Sequence, residues 1–375
     1  HDEVTDATIW SVPVVLKVRS SSGVSEIRYL LEERSSDVKL DSPADWVVVN
    51  AGGSGFFRAR YTKGMLKSVS RDMFSNLTSV ERYGLVDDTW SSVMAGRTSA
   101  EDFLEFARSF HLETDLDVWT VLSGCLSGLE KLVEGEAENH YKAVVRDLAQ
   151  PGLDRLGWEP GETDSPRDLE LRGLFIRLLA NVGDDDLAQD NAGDLHDSYL
   201  RDAGSVEPNM AAAVTGVVAS KGDTAEYDLF LEKYRDPSTP QEERRYQSAL
   251  SAFPGEPEMK RTLNMTLDGT VRTQDAPYLL AVCMRNKYQG HIAWDFVKEN
   301  WDKINEVFPS NSIVRMLSGV TSLSKPSEAE DVLAFFEDHE VPQGQLTLQQ
   351  TLEKLQVIVA LRARETERFS ASLTS

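Results

Sequence analysis

Near the start of the chain, apolar residues recur at every second position. Val12, Val14, Leu16 and Val18 follow this rule, and so do Ile27, Tyr29 and Leu31. Trp46–Asn50 and Phe56–Tyr61 are two further runs rich in β-branched and aromatic side chains. A period of two marks a strand with one face buried, so four strands are predicted here. Between the last two lies Asn50-Ala51-Gly52-Gly53-Ser54-Gly55, whose residues tolerate positive φ, and a hairpin is predicted there. Four strands leave edges and a face uncovered. The segment therefore reads as the end of a small antiparallel β-sandwich whose first strands lie upstream of His1, and the chain reads as a fragment.

From about Ser70 the period changes to 3.6. Phe103, Phe106, Ala107 and Phe110 stand at i, i+3, i+4 and i+7, one face of a helix. Tyr141, Val144, Val145 and Leu148 repeat the spacing, as do Tyr227, Phe230, Leu231 and Tyr234, and then Tyr246, Ala249, Leu250 and Phe253. Thr98-x-x-Glu101, Ser327-x-x-Glu330 and Thr347-x-x-Gln350 have capping-box spacing. Prolines at 151, 237, 254, 309 and 342 and the Gly183-Asp184 step punctuate these segments. About 12–14 short helices stacked in antiparallel pairs are predicted, each pair burying one stripe and relying on its neighbours for the rest. The fold class is mainly α: a HEAT/armadillo-like stacked helix-pair superhelix preceded by a small β-sandwich portion. The boundaries are 1–66 for the sandwich end and 67–375 for the helical domain. No strict repeat of fixed period is present.

Charge and composition narrow the chemistry. Lys plus Arg number 39 against 62 Asp plus Glu, a net charge of −23, which excludes a nucleic-acid binder and disfavours anionic lipid. With 41% apolar and 27% charged residues the chain can bury a core. The longest apolar stretch, Met210–Ala219, is too short to span a membrane. Cys125 and Cys283 give neither a disulfide framework nor a thiolate cage, and a reducing cytoplasm is the expected setting. His1-Asp2-Glu3 lacks the basic start of a signal peptide.

No catalytic set assembles. A zinc peptidase needs His-Glu-x-x-His on one helix, yet the histidines at 1, 111, 140, 196, 291 and 339 are all far apart. His339-Glu340 begins the motif, but Val341-Pro342 follows and position 343 is Gln. Lone surface or capped histidines are expected. Gly52–Gly55 is followed by an expected strand, not the helix a phosphate cradle requires. Asp184-Asp185-Asp186 through Asp194 lacks the glycine and glutamate of a calcium loop and reads as a solvated helix start. Asp87-Asp88 reads as surface charge, since adjacent helical residues point apart. No Gly-x-Ser-x-Gly elbow occurs. Trp90, Trp119 and Trp301 fall on apolar stripes and are expected in the core; Trp294 is open to either reading.

Three stretches resemble the C-terminal part of the aminopeptidase-N-like zinc aminopeptidases, the gluzincin family. Trp46-Val47-Val48-Val49-Asn50 with Gly55-Phe56-Phe57-Arg58-Ala59-Arg60-Tyr61 is similar to the family's final sandwich hairpin. Glu81–Trp90, then Ala95-Gly96-Arg97, resembles the first long helix of its helical domain. Val271–Asp275 with Ala293–Trp301 resembles a late helix pair. The resemblance implies a non-catalytic region that covers the active site of an upstream catalytic domain on the same polypeptide and shapes peptide access and binding. Zinc and the reactive groups would lie in that missing domain, so this chain is assigned no catalytic residue, metal ligand or cofactor. Its partners would be a peptide and the catalytic domain, with no nucleic acid and no membrane. In some family members the helical domain anchors the peptide's far end. Arg244, Arg245, Arg272, Arg285 and Arg315 are candidate anchors for a carboxylate in an acidic chain. Arg272, with Gln274 and Asp275, stands first because it lies in a family-like stretch; Arg245 and Arg285 complete the expected substrate-binding set. Some members place a basic residue on the helix matching Tyr246–Phe253, where this chain has Ser251 and Ala252. The competing reading is a stand-alone helical-repeat scaffold for a protein partner.

Overall fold

The structure, a computed structural model, describes residues 8–341 and 343–375. His1, Asp2, Glu3 and Pro342, which the sequence singles out, lie outside these. Three strands form one antiparallel sheet, β1 (Val12–Ser20), β2 (Gly23–Leu31) and β3 (Ala44–Val49), in the order β2-β1-β3. Val14 faces Tyr29 and Leu16 faces Ile27 across the first pair; Leu16 faces Val49 and Val18 faces Val47 across the second. The predicted period-two sets thus share one face. Among the described residues every regular element that follows is helical, so the protein is mainly α with a small antiparallel sheet.

Contacts divide the chain into two compact units, the first ending at Leu129 and the second beginning at Glu130. The first holds the sheet and α1 (Lys63–Val69), α2 (Met73–Asn76), α3 (Ser79–Met94), α4 (Ala100–Ala107) and α5 (Leu116–Glu130), whose last residue opens the second unit. The second holds α6 (Ala137–Leu156), α7 (Pro166–Arg177), α8 (Asp186–Arg201), α9 (Pro208–Lys221), α10 (Thr224–Arg235), α11 (Pro240–Leu250) and α12 (Glu256–Met265). It continues through α13 (Ala276–Cys283), α14 (Gly290–Glu299), α15 (Trp301–Val307), α16 (Ser310–Met316), α17 (Pro326–Asp338) and α18 (Gln345–Thr374). That is eighteen α-helices among the described residues, more than the spacing predicted. Several are single turns such as α2, too short to show a period. Within the second unit α7, α9, α11 and α13 each touch the next, and α8 and α10 pack on α9 and α11.

The predicted fourth strand, Phe56–Tyr61, does not form. Asn50 turns the chain at φ 64, and its side chain clamps Gly55, accepting from Gly55 N at 2.7 Å and donating to Gly55 O at 2.9 Å. The segment then runs along α3. Ala59 N donates to the Asp88 carboxylate at 3.1 Å, and Arg58 meets both Asp87 and Asp88. The Tyr61 hydroxyl accepts from Val49 N at 3.0 Å and donates to Val49 O at 3.1 Å. A phenol therefore satisfies the end of β3, where a neighbouring strand was expected. Asp88 is buried and is a structural acceptor, not a surface charge. Desolvation pushes its pKa up, in part offset by Ala59 N–H and Arg58. Glu81, also buried, ties β1 to this region, taking Lys17 Nζ at 2.7 Å, Thr78 N at 2.8 Å and Gly52 N at 3.1 Å.

Helix ends also differ from the expected caps. Ser99, not Thr98, caps α4 by accepting from Asp102 N. α17 starts at Pro326, which suits a first helical position, and α18 at Gln345, so Ser327 and Thr347 already lie inside their helices. The capping boxes the structure does use are Thr78–Glu81, Ser165–Asp168 and Asp223–Glu226. Pro151 ends no helix and sits within α6. A proline there forfeits one N–H bond; burial of Leu148 and Leu153 on the same helix keeps both halves in place. The four predicted helical stripes are buried. Trp119, Trp294 and Trp301 are core residues, and Trp294 donates to Asp331 at 2.7 Å. Trp90 is half-buried, edge-on to Phe103.

Candidate functional site

A cavity of about 450 Å³ opens across α9, α11, the end of α13 and the turn that follows α7, within the size range of ligand sites. Small side chains make the room. Ala212, Gly216 and Ser220 recur every fourth residue on α9, and Ser248, Ala249 and Ala252 face the cavity from α11 and its end. A π-helical turn (Leu178–Val182) extends α7 and brings Asn181 and Val182 into the wall. Past α13, Asn286 braces the chain by donating to Ser251 O at 2.9 Å and Phe253 O at 3.0 Å, and it accepts from Tyr288 N and Gln289 N. This fixes a loop that carries Arg285, Lys287 and Tyr288 to the rim.

The wall is cationic in an acidic protein. Lys221, Arg245, Arg285 and Lys287 line it, against the single carboxylate of Glu130. Lys287 pairs with Glu130 at 2.6 Å, Lys221 with Asp184 at 2.5 Å, and Arg285 donates to the Ser318 hydroxyl at 2.9 Å. Arg245 differs. Its guanidinium lies 4.9 Å from the Tyr199 ring, and its buried Nε and Nη1 have no hydrogen-bond partner among the described residues. Buried donors without acceptors are costly, which is why such groups are usually satisfied. A second cavity of about 550 Å³ is lined by Glu256, Asp295 and Glu299 together with Lys260, which pairs with Glu256 at 2.7 Å, and His291.

Of the residues expected from sequence, Arg245 and Arg285 meet at this cavity. Arg272, Gln274 and Asp275 lie together at the other end of α13, away from its lining. There Arg272 is already paired with Glu243 and with Asp275, both at 3.0 Å. Arg244 and Arg315 are exposed and do not line the cavity. Ser251 and Ala252 do line it. Lys221 and Lys287 were missed; the available signal was the small-residue spacing on α9, which leads directly into Lys221.

Other expectations resolve as follows. Asp185 caps α8, as a helix start requires, but Asp184 is ion-paired rather than merely solvated: Lys142 and Lys221 hold its carboxyl well below the usual carboxylate range. His196 is neither surface nor capped. It is buried against Tyr199, Phe230 and Tyr246, and burial lowers its pKa to about 4. His339 contacts Phe335 O at 2.7 Å and stacks on the Phe335 ring. Cys283 is buried and its thiol is pushed up to about 12, so it is inert. Among the described residues no three His, Cys, Asp or Glu side chains converge in a way that could hold a metal ion. None of the helices there is long and apolar enough to cross a membrane.

The described residues thus form a mainly α protein with a small antiparallel sheet in one unit and a cationic cavity in the other. Compared with known proteins, the chain matches the family described as the ERAP1-like C-terminal domain over residues 46–357, beginning at the Trp46 that opens the first family-like stretch. The chain belongs to that family, and the resemblance to the C-terminal region of the aminopeptidases holds. Aminopeptidase M1 of Arabidopsis thaliana is 27% identical over 376 residues, covering 93% of this chain and 42% of that protein. Endoplasmic reticulum aminopeptidase 2 of Bos taurus is 28% identical, covering 88% and 35%. Puromycin-sensitive aminopeptidase of Caenorhabditis elegans is 28% identical, covering 78% and 32%. The chain thus spans about two fifths or less of the length of these relatives.

Proposed function

We propose that this chain is the non-catalytic C-terminal region of a zinc-dependent aminopeptidase, covering the active site of a catalytic domain on the same polypeptide and shaping peptide access. Zinc belongs to that other domain in this reading, and the row α7, α9, α11 and α13 is part of a HEAT-like array. The setting is cytoplasmic, where buried Cys125 and Cys283 stay reduced. Family membership supports the first part. The observation that carries the second is the cationic cavity with its unsatisfied Arg245. Every unmodified peptide ends in one carboxylate whatever its sequence, and a guanidinium pairs with carboxylates through charge-assisted bonds. A carboxylate entering the cavity supplies the acceptor that Nε and Nη1 of Arg245 lack and meets Arg285 and Lys287 at the rim.

Purified chain incubated with aminoacyl-nitroanilides, with and without zinc, is expected to be silent; turnover would overturn the non-catalytic assignment. In titrations with N-acetylated peptides, replacing the C-terminal carboxylate by an amide is expected to weaken binding about tenfold or more, the scale of one charge-assisted bond. Arg245→Met is expected to abolish that difference. Equal affinity for acid and amide on the native chain would remove the anchoring role.

A further inference from the structure

Glu242 and Arg245 stand at i and i+3 on α11, the spacing at which side chains of one helix are neighbours, about 5–6 Å apart at Cβ. A glutamate so placed ordinarily pairs with the arginine. Positions 241, 248 and 249, the other helix neighbours of Arg245, are Gln, Ser and Ala. Glu243 points elsewhere and pairs with Arg272 at 3.0 Å. Glu242 is therefore the one carboxylate of α11 placed to neutralise Arg245. It does not do so: Nε and Nη1 of Arg245 are buried without a partner. The Glu242 carboxylate is held elsewhere by both oxygens. Oε2 accepts from Ser238 N at 2.7 Å, reaching back over the helix start as glutamates in the first turn do. Oε1 accepts from the Tyr199 hydroxyl at 3.2 Å. Glu242 and Tyr199 are both buried, so little water competes for that bond.

Tyr199, from α8, thus touches both charges. The Arg245 guanidinium lies over its ring at 4.9 Å, and its hydroxyl ends on Glu242. His196, one turn earlier on α8, stacks on the same ring and fixes its plane. Burial raises the phenol's pKa, with Arg245 opposing and Glu242 adding, so the hydroxyl keeps its proton and stays a donor. We infer that Tyr199 is a positioning residue for the carboxylate site: it draws Glu242 away from Arg245 and so keeps open a guanidinium that its own helix would otherwise close. This deepens the proposed function and rests on it. Tyr199 touches no peptide in this role and acts through Glu242 and Arg245. Without the hydroxyl, Oε1 of Glu242 becomes a buried acceptor with no donor, which is costly. Arg245, one turn along, has buried donors with no acceptor. The two deficits cancel by pairing, and the pair occupies the site in place of a peptide carboxylate.

The test reads the ratio of affinities of one N-acetylated peptide as free acid and as amide, titrated onto the native chain and three variants. Tyr199→Phe keeps the ring beneath Arg245 and removes only the hydroxyl; the ratio is expected to fall from about tenfold to about one to two. Glu242→Gln removes the charge that has to be diverted, and acid affinity is expected to rise about twofold with amide affinity unchanged. Tyr199→Phe combined with Glu242→Gln is expected to recover the native ratio, because glutamine brings no charge to Arg245. A tyrosine with a merely structural role predicts the reverse, a double variant as weak as the single one. A ratio that survives Tyr199→Phe, a double variant that fails to recover it, or a fall in acid affinity with Glu242→Gln overturns the inference while the cavity reading stands. A ratio near one on the native chain overturns the cavity reading, and this inference with it. Circular dichroism and melting curves establish that the variants fold. Glu242→Gln leaves the tyrosine in place and decides the matter alone should the phenylalanine variants not fold.

Discussion

His196 is packed against Tyr199, Phe230 and Tyr246, its Nε2 3.4 Å from the Tyr246 hydroxyl. Burial is the main reason its pKa falls to about 4, with Asp197 opposing and Arg245 assisting. Between pH 6.5 and 4 the unfolded chain binds a proton that the folded chain excludes. Stability is therefore full above that window and is lost as pH falls through it, by about 3 kcal/mol in total. Melting curves from pH 8 to 4 should show the decline, and His196→Phe should flatten it; parallel curves for the two proteins would assign the decline elsewhere. Gly152 is a second residue set by its neighbours. A Cβ there would lie 2.2 Å from Phe175, a fully buried ring with no room to retreat. Gly152→Ala, normally favourable in a helix, is expected to destabilise by about 1–3 kcal/mol through overpacking, read from urea unfolding.

At the scale of elements, helices with a long 3.6 stripe were legible because one face of each must be buried, whatever its partner. The strand at Phe56–Tyr61 was misread because β-branched and aromatic content reports burial, not the hydrogen-bond partner. Ala59 and Tyr61 are buried, but their polar groups go to Asp88 and Val49 rather than to a ladder. Tyr61→Phe leaves the Val49 N–H and C=O without their partner. We expect a loss of about 1–2 kcal/mol in thermal or urea unfolding, with the α-helical circular dichroism kept. Glu81 makes a comparable junction. Burial alone would raise its pKa, but Lys17 and the N–H groups of Thr78 and Gly52 outweigh it and hold the carboxyl below its usual range. Glu81→Gln leaves Lys17 largely buried without its counter-charge, and a loss of about 3 kcal/mol is expected by the same measurement.

For the molecule as a whole, the net charge of −23 repels anions at long range, while in the proposed reading the cationic cavity attracts a carboxylate at short range. The two act over different distances, because screening leaves close contacts intact and removes far ones beyond about 10 Å at 0.1 M salt. Peptides that share a C-terminal segment but carry lysines or glutamates further back should therefore differ in association rate. In stopped-flow measurements at low salt the lysine-bearing peptide should bind about tenfold faster. The difference should close at about 0.5 M salt; persistence at high salt would place the discrimination in direct contacts.

The succession of a small sheet and then many helices, the burial of the longer stripes and the family follow from the sequence alone, because periodicity and local motifs are properties of neighbouring residues. Arg245 and Arg285 were named from it as cations, yet nothing in their spacing says that they meet. Their convergence with Lys221 and Lys287 depends on how α9, α11 and the loop after α13 pack, and Arg272 proved saturated because the fold sets Glu243 and Asp275 beside it. Whether a charge is paired or left with empty donors is decided by distances of a few ångströms between segments remote in the chain, and only the folded structure sets those distances.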